Sequence, residues 1–295
     1  MNWTQVGSVV ATSAVTAVPL SFAIVKLALS HQLDKYRIEW EAKTRKEVET
    51  ILAEHAAKRQ YDWEARRRLY QAVGPLRFQL LLACRDLAAR VNGHIRREYD
   101  TSLANYYGRS FLYRVLRPIA ICELVERQMS FADFSVDTDG QILLQFSRAV
   151  MAILSGKAIT LDYAVDWSQQ NEHVFYDAIS RAAGALVVRE GDTERCMRFA
   201  EFNELFNDTA KVDGLHPFPR LFEHFTVSST PLFWLRLVGY GYVCSELTAT
   251  VGKDIGFSRR DFDIETLLKA ANNEVFNEQM AAYVQILRGF TSYSL

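Results

Sequence analysis

The sequence predicts an all-α chain in three parts. These are an amino-terminal transmembrane helix over residues 1–30, a long charged helical stalk over 31–75 and a helical cytoplasmic domain over 76–295. Three observations predict it. Residues 6–25 carry no formal charge, residues 31–73 contain neither Gly nor Pro, and the remainder places apolar residues at helical spacing without sustained strand alternation. With 49% apolar and 23% charged residues over 295 positions, the balance is that of a folded rather than a disordered chain. A net charge of -1 gives no global positive field to attract nucleic acid. The mean hydropathy of -0.07 averages away the apolar start.

The uncharged run Val6 to Val25 ends at Lys26, and its length matches the roughly 20 residues that cross about 30 Å of hydrocarbon. The competing readings are a buried core helix and a secretory signal, but a signal would open on Lys or Arg, which Met1 to Gln5 lacks, and Lys26 interrupts the place of a cleavage region. Lys26, Lys35, Arg37, Lys43, Arg45 and Lys46 follow the run and no basic residue precedes it, so the amino terminus is expected outside and the carboxyl side in the cytoplasm. At about 100° per residue, Val15, Val18, Phe22 and Val25 share one face and Thr12, Ser13 and Thr16 the opposite one. Ser8 neighbours Thr12, and Ser13, Ala17 and Ser21 form a small-xxx-small series that lets helices approach closely. Ser8, Thr12, Ser13, Thr16, Ala17 and Ser21 are therefore the candidate pore or helix interface. The alternative is a plain anchor whose hydroxyls bond back to their own helix. Pro19 removes one helical hydrogen bond, which membranes tolerate when a neighbour compensates.

A helix over 31–73 would be about 65 Å long. Glu39 with Lys43, Glu41 with Arg45, Glu54 with Lys58, Asp62 with Arg66 and Glu64 with Arg68 stand at i, i+4 in the favourable direction, and Gly74-Pro75 is expected to end the run. Leu33, Tyr36, Trp40, Val48, Ile51 and Leu52 make an imperfect apolar seam, which suggests a solvated stalk able to bundle with copies of itself.

Beyond Gly74-Pro75, Leu80, Cys84, Leu87, Val91 and Ile95 mark a helix over Leu76 to Tyr99. Helices are expected over Ser102 to Met129, bent at Pro118, and over Gln141 to Leu154. A connector at 157–168 precedes helices over Gln170 to Val188 and Thr193 to Phe206, the latter capped by Asp192. Pro217 and Pro219 mark another connector. Phe233 to Leu247, split by Arg236, reads as a buried central helix rather than a second span, and Ile264 to Leu287 as a helix capped by Asp263.

Chemical motifs are few. Phosphate loops, nucleophile elbows and His-Glu-x-x-His are missing from the sequence. Helical nucleases of the HEPN type separate an Arg from a His by more than the three residues between Arg90 and His94 or Arg220 and His224. Each of these pairs still shares a helix face, as His173 and Asp177 would. Asp133, Asp137 and Asp139 read as turn residues, and Asp261, Asp263 and Glu265 lack the Gly and the distal Glu of a calcium loop. Cys84, Cys122, Cys196 and Cys244 stand singly, in contexts that suit core packing in a reducing compartment. Neither a cofactor nor a metal is expected. The segment Tyr106 to Arg117 interleaves aromatic rings with guanidinium groups. Tyr107, Arg109, Tyr113, Arg114 and Arg117 thus become candidates for an anionic ligand, a nucleotide or short oligonucleotide. The plainer reading is an amphipathic helix with core aromatics and a solvated Arg edge.

One amino-terminal span from Val6 to Val25, a charged stalk and an all-α body resemble the small single-span membrane effectors of bacterial anti-phage defence, which oligomerise into pores or disrupt the inner membrane. The resemblance lies in the order of elements over the whole chain, and it transfers no functional residue. It implies a homo-oligomer in the bacterial inner membrane whose cytoplasmic body senses a protein partner or an anionic ligand and whose spans open the membrane, without enzymatic activity. A tethered scaffold or sensor without a pore is the alternative, and a tethered hydrolase the third.

Overall fold

The helix-compatible run at the start of the chain winds into α1, Trp3–His94. The computed structural model describes the backbone of residues 3–96, 99–129, 138–223, 225–257 and 262–292, and within these the side chains from residue 22 onward, those of 129, 138, 139 and 254 apart. Two units divide the chain, Met1–Trp63 and Glu64–Leu295. Ser8, Thr12, Ser13, Thr16, Ala17 and Ser21 belong to the range of α1, but their side chains lie outside the described residues. Among the described residues no helix is long and apolar enough to cross a membrane.

In the first unit the described part of α1 is exposed almost throughout. Leu29, Leu33, Tyr36 and Trp40 fall within about 60° of one another on the helix, and all four lie open to solvent, Trp40 with 68% of its surface accessible. One expected charge pair is replaced, since Glu41 takes Arg37 at 3.2 Å rather than Arg45, which reaches Glu49 at 3.0 Å, while Glu64 and Arg68 stand 3.9 Å apart as expected. Such exposed pairs contribute only about 0.3–0.5 kcal/mol each.

In the second unit α1 continues through Gly74-Pro75 to His94, where the sequence predicts a stop. Pro75 and Gln71, the residue whose carbonyl loses its partner to the proline, are both exposed, while Leu69, Val73, Leu80 and Leu81 are buried on the other face. As expected, Leu80, Cys84, Leu87 and Val91 line the core and Ile95 packs against it. Helices α2, Tyr106–Met129, and α3, Thr138–Ser155, follow, the first containing Pro118. Helix α4, Tyr176–Ala185, covers only part of Gln170 to Val188.

The next segment corrects the sequence reading. Val187–Glu190 (β1) and Thr193–Cys196 (β2) form an antiparallel hairpin with Glu190 opposite Thr193, so Asp192 occupies a turn rather than a helix cap. Gly191 has φ of +62°, the backbone a tight two-residue loop needs at its first position. The β-branched Val187 and Val188 suit the strand that enters it. Arg195 then bonds Glu190 at 2.6 Å and Glu201 at 2.7 Å, fastening the hairpin to α5, Phe199–Leu205. Two short helices, α6 at Thr209–Asp213 and α7 at Phe218–Glu223, flank the Pro217 connector.

Helix α8, Pro231–Val251, is the buried centre the sequence predicts. It packs on α3, on α9 (Ile264–Lys269) and on α11 (Met280–Thr291). Gly239 permits the last approach, since a Cβ there would lie 2.8 Å from Tyr283 Oη. Its buried polar groups are satisfied at long range: Trp234 Nε1 donates to Leu267 O at 2.7 Å, and Tyr283 Oη to Leu235 O at 2.6 Å. Arg236, fully buried, donates to Glu172 O at 3.1 Å, to Gly156 O at 3.0 Å and to Ile153 O. Two of these carbonyls belong to the carboxyl end of α3, where a cation also meets the favourable end of the helix dipole. Asp263 caps α9 as expected, its Oδ1 accepting from Thr266 N at 3.1 Å. The single helix predicted for 264–287 is broken, however. Asn272 adopts φ of +47° and Asn273 caps α10, Glu274–Glu278, because Asn tolerates the left-handed region and its side chain competes for backbone donors.

Candidate functional site

The carboxyl end of α1 meets the amino end of α2 around Tyr107. Arg90 and His94, one turn apart on α1, converge on it: the Arg90 guanidinium lies 4.4 Å from the Tyr107 ring centroid, and His94 Nδ1 is 2.9 Å from Tyr107 Oη. Tyr99 stacks on the same ring at 4.3 Å, nearly parallel to it. Gly108 makes the junction possible, because a Cβ there would lie 2.2 Å from the Ser102 carbonyl oxygen. The 99–105 loop is pinned by two carboxylates. Asp100 Oδ1 accepts from Ser102 N at 2.8 Å, and Glu223 of α7 accepts from Leu103 N at 3.0 Å and Ser102 Oγ at 2.8 Å.

A cavity of about 670 Å³ opens beside this loop, lined in part by His94, Tyr99, Thr101, Glu223 and Phe225. His94 is buried against the rings of Phe111, Phe225 and Trp234. Burial, followed by the Arg90 charge, lowers its pKa to about 4, so the imidazole is neutral at physiological pH. Burial pushes the Tyr107 phenol up. The volume is that of a small-molecule site.

The structure separates the residues of the Arg and Tyr segment. Tyr113 is buried, with its pKa pushed up to about 12 by desolvation, and its Oη donates to Met197 O at 2.7 Å. Arg109 turns to Leu103 O at 2.5 Å and Asn203 Oδ1 at 3.1 Å, under the Phe206 ring. Arg117 reaches Asp86 at 3.7 Å. Arg114 instead donates to Ser110 O at 3.0 Å and to Ser110 Oγ, which also accepts from Arg90 at 3.2 Å. The sequence signal for this meeting was the i, i+4 spacing of Ser110 and Arg114; Arg90, 20 residues earlier, joins them only through the packing of α1 on α2.

The other candidates resolve into structural roles. His173 does not meet Asp177; it is fully buried against Trp167 and Phe175, and neither ring nitrogen has a hydrogen-bond partner. Arg220 donates to Asn171 Oδ1 at 2.9 Å, while His224 lies outside the described residues. Asp133, Asp137, Asp261 and the side chain of Asp139 also lie outside them, and Glu265 pairs with Lys269 at 2.6 Å. All four cysteines are free and buried, and burial raises each thiol pKa. Among the described residues no cluster of His, Cys, Asp and Glu is placed to hold a metal. Compared with known protein families, curated proteins and solved structures, the chain matches none.

Proposed function

We propose that the chain is a membrane-anchored, self-associating effector: residues 6–25 span the bacterial inner membrane with the amino terminus outside, the exposed seam of the first unit bundles copies of the chain, and the second unit in the cytoplasm receives the signal. The assembled spans then form a conduit or disrupt the bilayer, as in anti-phage membrane effectors. The observation that carries this reading is the run Leu29, Leu33, Tyr36 and Trp40, four large apolar side chains on one exposed face directly after the predicted span. Monomers rarely leave such a stripe uncovered. A second copy is its fitting occupant, because a common anchor holds all copies parallel at one height and the stripe is bordered by charges of both signs, including the Arg37 and Glu41 pair. A tethered sensor without a conduit shares the anchor and the body, and the cavity beside His94 suits a receiving role in both.

Position-specific cross-linking tests the seam. In isolated membranes, oxidation should join copies of a Trp40→Cys variant but not of Ile38→Cys, whose side chain is equally exposed on the opposite face. Equal yields from the two positions, or none from either, would remove the seam as the association surface.

A further inference from the structure

We propose that the junction of α1 and α2 is a binding site for a phosphoryl group, held by Arg90 and Arg114 on either side of Ser110. The proposal rests on the receiving role assigned to the second unit and names what that unit receives. Both guanidinium groups donate to one oxygen, Ser110 Oγ, on a residue only 1% exposed, so the two cations are held within a few ångströms of each other. Among the described residues neither forms an ion pair: the nearby Asp86, whose charge reaches Arg114, is engaged by Arg85 at 3.0 Å and by Arg117 at 3.7 Å. Burial, and after it the Arg90 charge, lowers the Arg114 pKa, and the Asp86 charge offsets them only in part. An arrangement of like charges that a single hydroxyl cannot neutralise is relieved by an anion, and planar forks favour the tetrahedral oxygens of a phosphoryl group.

The same geometry argues against recognition of a base. The Tyr107 ring is already taken up by Arg90 at 4.4 Å and Tyr99 at 4.3 Å, and Tyr113 is in the core. The shared chemistry is therefore the phosphoryl group itself, which a soluble phosphate ester or a phospholipid headgroup could present.

Full-length protein in uncharged detergent distinguishes these. Thermal midpoints are measured with pyrophosphate, with chloride at equal ionic strength, and in micelles doped with phosphatidylglycerol, for the wild type and for Arg90→Gln and Arg114→Gln. Pyrophosphate should raise the wild-type midpoint where chloride does not, and each substitution should weaken the apparent affinity by about tenfold or more, since each removes one charged fork. A response to phosphatidylglycerol alone, lost in the same variants, assigns the site to a lipid headgroup. If Arg114→Gln does not fold, Arg90→Lys supplies the test, keeping the charge while losing the fork. Equal effects of all anions, or undiminished responses in the variants, overturn the proposal. Cross-linking at Trp40 is read without any anion, so it stands or falls separately.

Discussion

Replacing Arg236 with Met is expected to destabilise the second unit by about 3 kcal/mol or more, because one buried and two half-buried carbonyls lose charged donors and each such loss costs on the order of 1–3 kcal/mol. Met fills the volume of the side-chain stem, so the loss is electrostatic rather than steric. The affected acceptors, Ile153 O, Gly156 O and Glu172 O, join the end of α3 and the 157–175 connector to α8. Desolvation holds the Arg236 pKa down to about 10, yet the group stays charged at neutral pH. Arg236→Lys retains a charge but cannot reach three diverging acceptors with a planar fork, and it should fall between wild type and Arg236→Met. Urea denaturation followed by circular dichroism measures the difference. A midpoint within about 0.5 kcal/mol of wild type, the range of a neutral surface change, would contradict the network.

The second large effect is acid sensitivity arising at His94. Its pKa falls from 6.5 in the unfolded chain to about 4 in the fold, so between these values the unfolded state binds the extra proton. Stability from this group is complete above pH 6.5 and is lost as the pH falls toward 4, by about 3 kcal/mol in total. His173, also depressed by burial first and by Arg236 next, acts in the same direction. Urea midpoints taken across this window should fall more steeply for wild type than for His94→Gln, which cannot protonate. Parallel curves would show that the imidazole is not held neutral by its ring neighbours.

Much of this was legible in the sequence because it is local. The apolar spacing of Leu80, Cys84, Leu87 and Val91, the Asp263 cap and the intense hydrophobicity around Arg236 each report the environment that the residue occupies. The misreadings have a common cause: a local signal was outweighed by long-range packing or by turn chemistry. Pro75 fails to end α1 because its face is solvated and both flanks are anchored in the core. Gly191-Asp192 makes a hairpin because Arg195 can bridge Glu190 to Glu201. At the α1–α2 junction the sequence offered Arg114 and Tyr107, but Arg109 and Tyr113 look equivalent to them until Asn203 and Met197, over 80 residues away, are seen to claim their polar groups. Arg90 and Ser110 could be joined only in three dimensions.

If the assembled spans open the membrane as proposed, liposomes carrying the full chain conduct ions. Helical periodicity sets Thr12 and Thr16 about 120–180° from Val18 and Val25. Leu at both threonines should abolish conductance while preserving insertion, since it fills a lumen and makes the span more apolar. Leu at Val18 and Val25 exchanges one aliphatic for another on the face that the proposal turns to lipid and should leave conductance near wild type. Equal behaviour of the two double variants at matched protein levels, or a wild-type chain that inserts and associates without conducting, would contradict the conduit and leave a tethered sensor.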